Sequence, residues 1–175
     1  NGGGSASGKS TALTKEVLGM EIPSEENKSG IVIDPDLIKA KIPEYQDLVK
    51  RGDPSAAGYA HEESSALSKH LFKRALKLGD RSVLVDGTLG GNVEKVKQKI
   101  ESAKNTGMPV VGNIATVPLD EALKRNYMRY LSTGRLPSLK EVMTNHKRVS
   151  QNFEEIAPVF TQCNLVDNTN GPKVI

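Results

Sequence analysis

"GGGSASGKST" runs from Gly2 to Thr11. The spacing Gly3-x-x-x-x-Gly8-Lys9-Ser10 fits the phosphate-binding pattern G-x-x-x-x-G-K-[ST]. Glycines let the backbone curl so that successive N–H groups point inward. The N-terminus of the helix that follows adds partial positive charge. In this reading Gly3, Gly4, Ser5, Ala6, Ser7, Gly8, Lys9, Ser10 and Thr11 form a nucleotide-binding stretch. Lys9 reaches the β- and γ-phosphates, and the Ser10 hydroxyl sits on Mg²⁺. A flexible glycine–serine linker is the competing reading. It is disfavoured because an apolar helical pattern starts at once and a strand ending in acids follows.

A phosphate loop joins a strand to a helix, yet only Asn1 stands before this one. The expectation is therefore a fragment, with a central apolar strand lying ahead of Asn1 in a longer parent chain.

Working outward, Ser10 to Gly19 reads as one helix with Leu13, Val17 and Met20 on a face and Gly19 as its stop. "GIVID" (Gly30 to Asp34) and "SVLVDGT" (Ser82 to Thr88) read as buried strands that end in acids, and "PVVGNIATV" and "CNLVDN" as further strands. "KVI" starts or forms the last one. Helical patterns span Ser55 to Leu78, Val93 to Ala103, Pro118 to Leu131 and Leu139 to Phe153. Strands alternating with helices predict an α/β fold: three layers, a mostly parallel central sheet, flanking helices and an arginine-bearing lid. A length of 175 residues suits one domain, residues 1–175. Ligands bind outside the carboxyl ends of such strands, where the phosphate loop, Asp34, Asp36 and Asp86 all fall.

Composition narrows the class. No apolar run approaches the roughly 18 residues of a membrane span. Cys163 stands alone, which precludes an internal disulfide and suits a reducing, cytoplasmic compartment. A net charge of +3 is too mild to argue for a nucleic-acid partner.

Phosphoryl transfer to an alcohol needs a base for the hydroxyl proton. Asp34 and Asp36 flank Pro35 just past a strand. Asp36 starts a helix and is the expected base, with a helix N-cap as its bland alternative; Asp34 is expected to face the substrate or Mg²⁺. Asp86 stands where a strand-end acid holds Mg²⁺ or substrate, and the Thr88 hydroxyl is placed to touch phosphate or acceptor. Arg125 and Arg129 are four apart and share a helix face, while Arg135 lies in the Gly/Pro-containing loop "STGRLPS". Arginine forks match the spread charge of a transferring phosphoryl group. Glu62 and Glu63 open a helix, with substrate contact as the functional reading for Glu62. His61, His70 and His146 lack metal-ligand spacing and read as surface or core-edge residues.

The order phosphate loop, "IDPD", "DGT", arginine helix and "TGRLPS" resembles the zeta toxin family of P-loop kinases, from Gly2 to about Asn168. That resemblance implies ATP/Mg²⁺-dependent phosphorylation of a small-molecule hydroxyl, in the family's known toxins that of UDP-N-acetylglucosamine. It implies Asp36 as base, Arg125 and Arg135 as phosphate clamps, and Asp86 and Thr88 beside the acceptor. It also implies a small helical antitoxin as partner. Two departures bear on the acceptor. The family's glutamate in acid-Gly-Thr is Asp86 here, and Leu89-Gly90-Gly91 replaces an arginine that helps hold the UDP-sugar. A kinase for nucleic-acid ends or antibiotics on the same fold, or a nucleotide-binding assembly module without catalysis, are the alternatives.

Overall fold

The computed structural model describes residues 1–53, 56–133 and 138–175. The chain divides into two compact units, Asn1–Ile22 with Gly87–Ile175, and Pro23–Asp86.

The larger unit is built on a four-stranded sheet. Its strands are β1 (Gly2–Gly3), β4 (Val111–Thr116), β5 (Gln162–Asp167) and β6 (Lys173–Val174), adjacent in that order. β1, β4 and β5 are parallel; β6 pairs antiparallel with β5 at the edge. A strand does lead into the phosphate loop. Gly2 and Gly3, read from sequence as part of the loop, pair with Ile114 and Ala115.

Strand alternation sends neighbours to opposite faces. On one face Ala115 and Val166 meet Ala12 and Leu13 of the segment after the loop, with Val17 and Leu18 packed alongside. On the other, Ile114 and Leu165 meet Ile100 of α7 (Val93–Lys104) and Phe153 and Ile156 of α9 (Leu139–Ile156). The result is helix, sheet, helix, the three-layer arrangement expected. Gly112 lies inside β4 because the Phe160 ring passes over it: a Cβ there would sit 2.7 Å from the ring.

The helix expected from Ser10 to Gly19 is two short ones, α1 (Lys9–Ala12) and α2 (Lys15–Leu18). Leu13 ends the first at φ −100°, ψ 61°, and Thr14 restarts the chain in extended geometry. Leu13 is buried, so packing against the sheet overrides local helix propensity. Gly19 does end α2, in the left-handed conformation at φ 65°. α8 (Leu119–Thr133) and α9 carry the rest. Ser138 and Glu141 form a reciprocal capping box at the start of α9.

The smaller unit pairs β2 (Gly30–Ile33) with β3 (Ser82–Val85) in parallel, Ile33 opposite Val85. Helices α3 (Pro35–Ala40), α4 (Pro43–Lys50), α5 (Ala56–Tyr59) and α6 (His61–Leu78) complete it. The single helix expected over Ser55 to Leu78 is thus interrupted at Ala60. α6 packs on α3 and ends at Gly79, left-handed at φ 67°. No helix among the described residues is long and apolar enough to cross a membrane.

Candidate functional site

The phosphate loop is a built cradle. Ala6 (φ 60°) and Gly8 (φ 75°) are left-handed, and Gly3 at the loop's start also has a positive φ of 149°. Such alternation turns successive amides to one side and makes an anion-binding concavity. Among the described residues, the backbone amides of Gly8, Lys9 and Ser10 donate to no acceptor. They are the orphan donors of a helix start, where Gly8 caps α1 without a side-chain bond. Lys9 makes no ion pair among the described residues. An unpaired cation beside three open amides fits a phosphate anion.

The loop's outer wall is held from several sides. Asn168, buried just past β5, donates from Nδ2 to the Ser7 carbonyl (3.0 Å). Ser7 N–H donates to the Gly4 carbonyl (3.2 Å). Gly3 has no room for a side chain, since a Cβ would lie 2.5 Å from the Ala115 carbonyl and 2.6 Å from Ser7 Oγ. From α9, Asn145 Oδ1 accepts from the Ser5 amide (2.9 Å), and His146 Nε2 sits 2.6 Å from the Ser5 carbonyl. His146 is half-buried, at the core edge as expected, and it also contacts the phosphate loop, which its sequence does not signal. His61 and His70 are exposed, as expected.

Arg125 belongs to the same neighbourhood. Its Nε donates to Glu121 Oε1 one turn earlier (2.8 Å), and Nη2 donates to the Asn168 carbonyl (2.7 Å) and the Thr169 carbonyl (3.4 Å). Its Nη1 lies 3.4 Å from where a Cβ on Gly8 would stand. The side chain therefore ties α8 to the turn after β5 and borders the loop. Arg129 lies exposed one turn further along α8. Arg135 falls outside the described residues. Thr88 is exposed, and its Oγ1 accepts weakly from the Gly90 amide (3.4 Å).

The acids occupy the smaller unit. Asp34 and Asp86 each follow the last residue of adjacent parallel strands, and the Asp86 amide donates to the Ile33 carbonyl (3.0 Å). The two acids thus leave the carboxyl end of the strand pair side by side. Asp34 caps α3: its Oδ1 accepts from the Asp36 amide (2.8 Å). The cap that sequence reading weighed for Asp36 falls on Asp34. The Asp36 side chain is 76% exposed, with Nζ of the buried Lys39 3.8 Å away. Glu62 is exposed in the first turn of α6.

No group of three or more His, Cys, Asp or Glu among the described residues could hold a metal by itself. Mg²⁺ on a nucleotide needs no such group, since one or two protein oxygens plus phosphates and water suffice.

A solved structure from the PezAT chromosomal toxin–antitoxin system of the human pathogen Streptococcus pneumoniae superposes with a TM-score of 0.70 at 18% identity. The match covers 98% of this chain and 68% of that one, and at such identity it speaks for the fold. No curated protein matches the sequence. The family model described as Zeta toxin matches residues 2–172, nearly the whole chain. The chain belongs to the zeta toxin family.

Proposed function

We propose that this chain is an ATP- and Mg²⁺-dependent phosphotransferase that phosphorylates a hydroxyl of a small molecule. The acceptor class is a nucleotide sugar resembling UDP-N-acetylglucosamine. The observation that carries the reading is the loop itself: left-handed Ala6 and Gly8, and, among the described residues, three undonated amides and a Lys9 without a counter-ion. Membership of a kinase-like P-loop family supports nucleotide binding there.

In the proposed reaction the loop amides and Lys9 hold the β- and γ-phosphates of ATP. Asp36 accepts the hydroxyl proton as the acceptor oxygen bonds to the γ-phosphorus. The bond from that phosphorus to the bridging oxygen breaks, and ADP leaves with the electron pair. Mg²⁺, when bound by Ser10 and Asp86, neutralises phosphate charge. Arg125 and Arg135 supply further positive charge. Asp34, Thr88, Glu62 and Arg129 are the candidate acceptor contacts. Leu89-Gly90-Gly91 replaces an acceptor-holding arginine, so the preferred sugar can differ from that of the known toxins.

The test is ADP release with a panel of nucleotide sugars, with the phosphorylated product identified by phosphorus NMR. Release that depends on one acceptor class supports the proposal. ATP binding without release for any acceptor favours a nucleotide-binding module without catalysis. We also propose a small helical antitoxin as partner, because the matched structure comes from a toxin–antitoxin system. Failure of any small partner to co-purify from the native locus would count against it.

A further inference from the structure

We propose that Asn145, His146 and Asn152 on α9 are positioning residues that fix the phosphate loop and the adjoining Leu89–Gly91 turn. The inference rests on the nucleotide-site reading above, but its structural part can be measured without nucleotide.

The helix does not need these side chains to stay docked. Val142, Val149 and Ile156 recur every seven residues and are buried. Asn145, His146 and Asn152 instead point polar groups at distant backbone. Asn145 and His146 take both backbone polar groups of one residue, the amide and the carbonyl of Ser5, across 140 and 141 positions of sequence. A carbonyl can only accept, so His146 must carry its hydrogen on Nε2. The His146 ring also covers Gly4, where a Cβ would come within 2.7 Å of it. One turn of α9 therefore fixes Ser5 while leaving the amides of Gly8, Lys9 and Ser10 open.

Two turns along, Asn152 Nδ2 donates to the carbonyls of Leu89 (2.8 Å) and Gly91 (2.9 Å). Leu89 needs holding, because it is left-handed at φ 58°, a conformation costly for a residue with a Cβ. Its side chain lies over Gly2, leaving no space for a Cβ there. Gly90 faces Asn145, whose Nδ2 would be 2.8 Å from a Cβ. One helix face thus braces the first phosphate-loop residues and the turn just after Thr88. Both are parts a phosphoryl-transfer site must keep in register.

The experiment pairs amide exchange in the nucleotide-free protein with ATP titration of the same variants. Asn145→Leu should raise exchange at the Ser5 amide at least about tenfold, since the amide loses its acceptor. His146→Ala should weaken ATP binding about three- to tenfold, the worth of one net hydrogen bond. His146→Gln, whose carboxamide nitrogen can still donate to the Ser5 carbonyl, should recover binding to within about twofold. Asn152→Ala should raise exchange across residues 89–91. A purely packing role predicts no rescue by Gln. Unchanged Ser5 exchange in Asn145→Leu, with wild-type ATP affinity in His146→Ala, would overturn the proposal. If the wild-type chain binds no ATP but the exchange changes appear, the brace stands and the nucleotide reading falls.

Discussion

Asp34 Oδ1 accepts the backbone amide hydrogen of Asp36 at 2.8 Å. Two acids one residue apart therefore have different work: the first starts α3, and the second is left exposed with Lys39 nearby. Asp34→Ala should cost about 1 kcal/mol of stability, whereas Asp34→Asn, itself a good cap, should cost a few tenths. Asp36→Asn should leave stability nearly unchanged. Urea denaturation checks all three, and equal losses for Asp34→Ala and Asp34→Asn would contradict the capping role.

Ala6 is left-handed at φ 60° inside the phosphate loop. A Cβ there costs roughly 1–2 kcal/mol, and the extra unfolded-state freedom of glycine takes back about half of that. Ala6→Gly should therefore raise stability by about 0.5–1 kcal/mol and preserve ATP affinity. A destabilised Ala6→Gly protein would show that the methyl group has packing value that outweighs its strain.

Arg125 bonds Glu121, the Asn168 carbonyl and the Thr169 carbonyl at once. Its loss should therefore reduce stability as well as nucleotide affinity. Arg125→Ala should cost about 1.5–3 kcal/mol, the range for hydrogen bonds to charged groups, and should weaken ATP binding. Arg125→Lys should keep much of the binding but not the forked contact with both carbonyls. An Arg125→Ala protein of unchanged stability and reduced kcat alone would assign it to catalysis only.

Asp167 accepts from the Thr169 amide (2.9 Å) and hydroxyl (2.5 Å). These bonds favour the ionised carboxylate and hold it below its usual value of 3.8. The stabilisation is present above that value and is lost as the pH falls through the lower folded one. Wild type should therefore exceed Asp167→Asn in stability at neutral pH, and the gap should narrow as the pH falls below the usual carboxylate value. A gap that stays constant through acid pH would contradict the assignment. The measurement is urea unfolding across a pH series.

Much of this was legible in the chain. Apolar runs such as Gly30–Ile33 and Ser82–Val85 became the parallel strands they suggest, but not the buried ones: Ile33 alone among them is buried and Ser82 is exposed. Gly19 and Gly79 stopped helices where expected. The break at Leu13 and Thr14 was not legible, because Leu13 and Val17 keep helical spacing across it. Only burial of Leu13 against the sheet decides it. The assignment of the α3 cap to Asp34 rather than Asp36 turns on local geometry just past a proline. His146 carried no signal: a lone histidine in an amphipathic helix looks like surface, and its partner Ser5 is 141 residues away. Leu89 packs over Gly2 and against the cluster of Ile100, Ile114 and Ile156, contacts that Gly90 and Gly91 beside it do not signal in the sequence.

The most direct test compares Lys9→Ala with Asp36→Asn, measuring ATP affinity by titration and product formation by phosphorus NMR with the responsive acceptor. The account predicts that Lys9→Ala loses binding and transfer together, while Asp36→Asn binds ATP within about threefold of wild type and forms no product, as expected on losing a general base. Equal loss of ATP affinity in both variants, or undiminished product formation by Asp36→Asn, would contradict it.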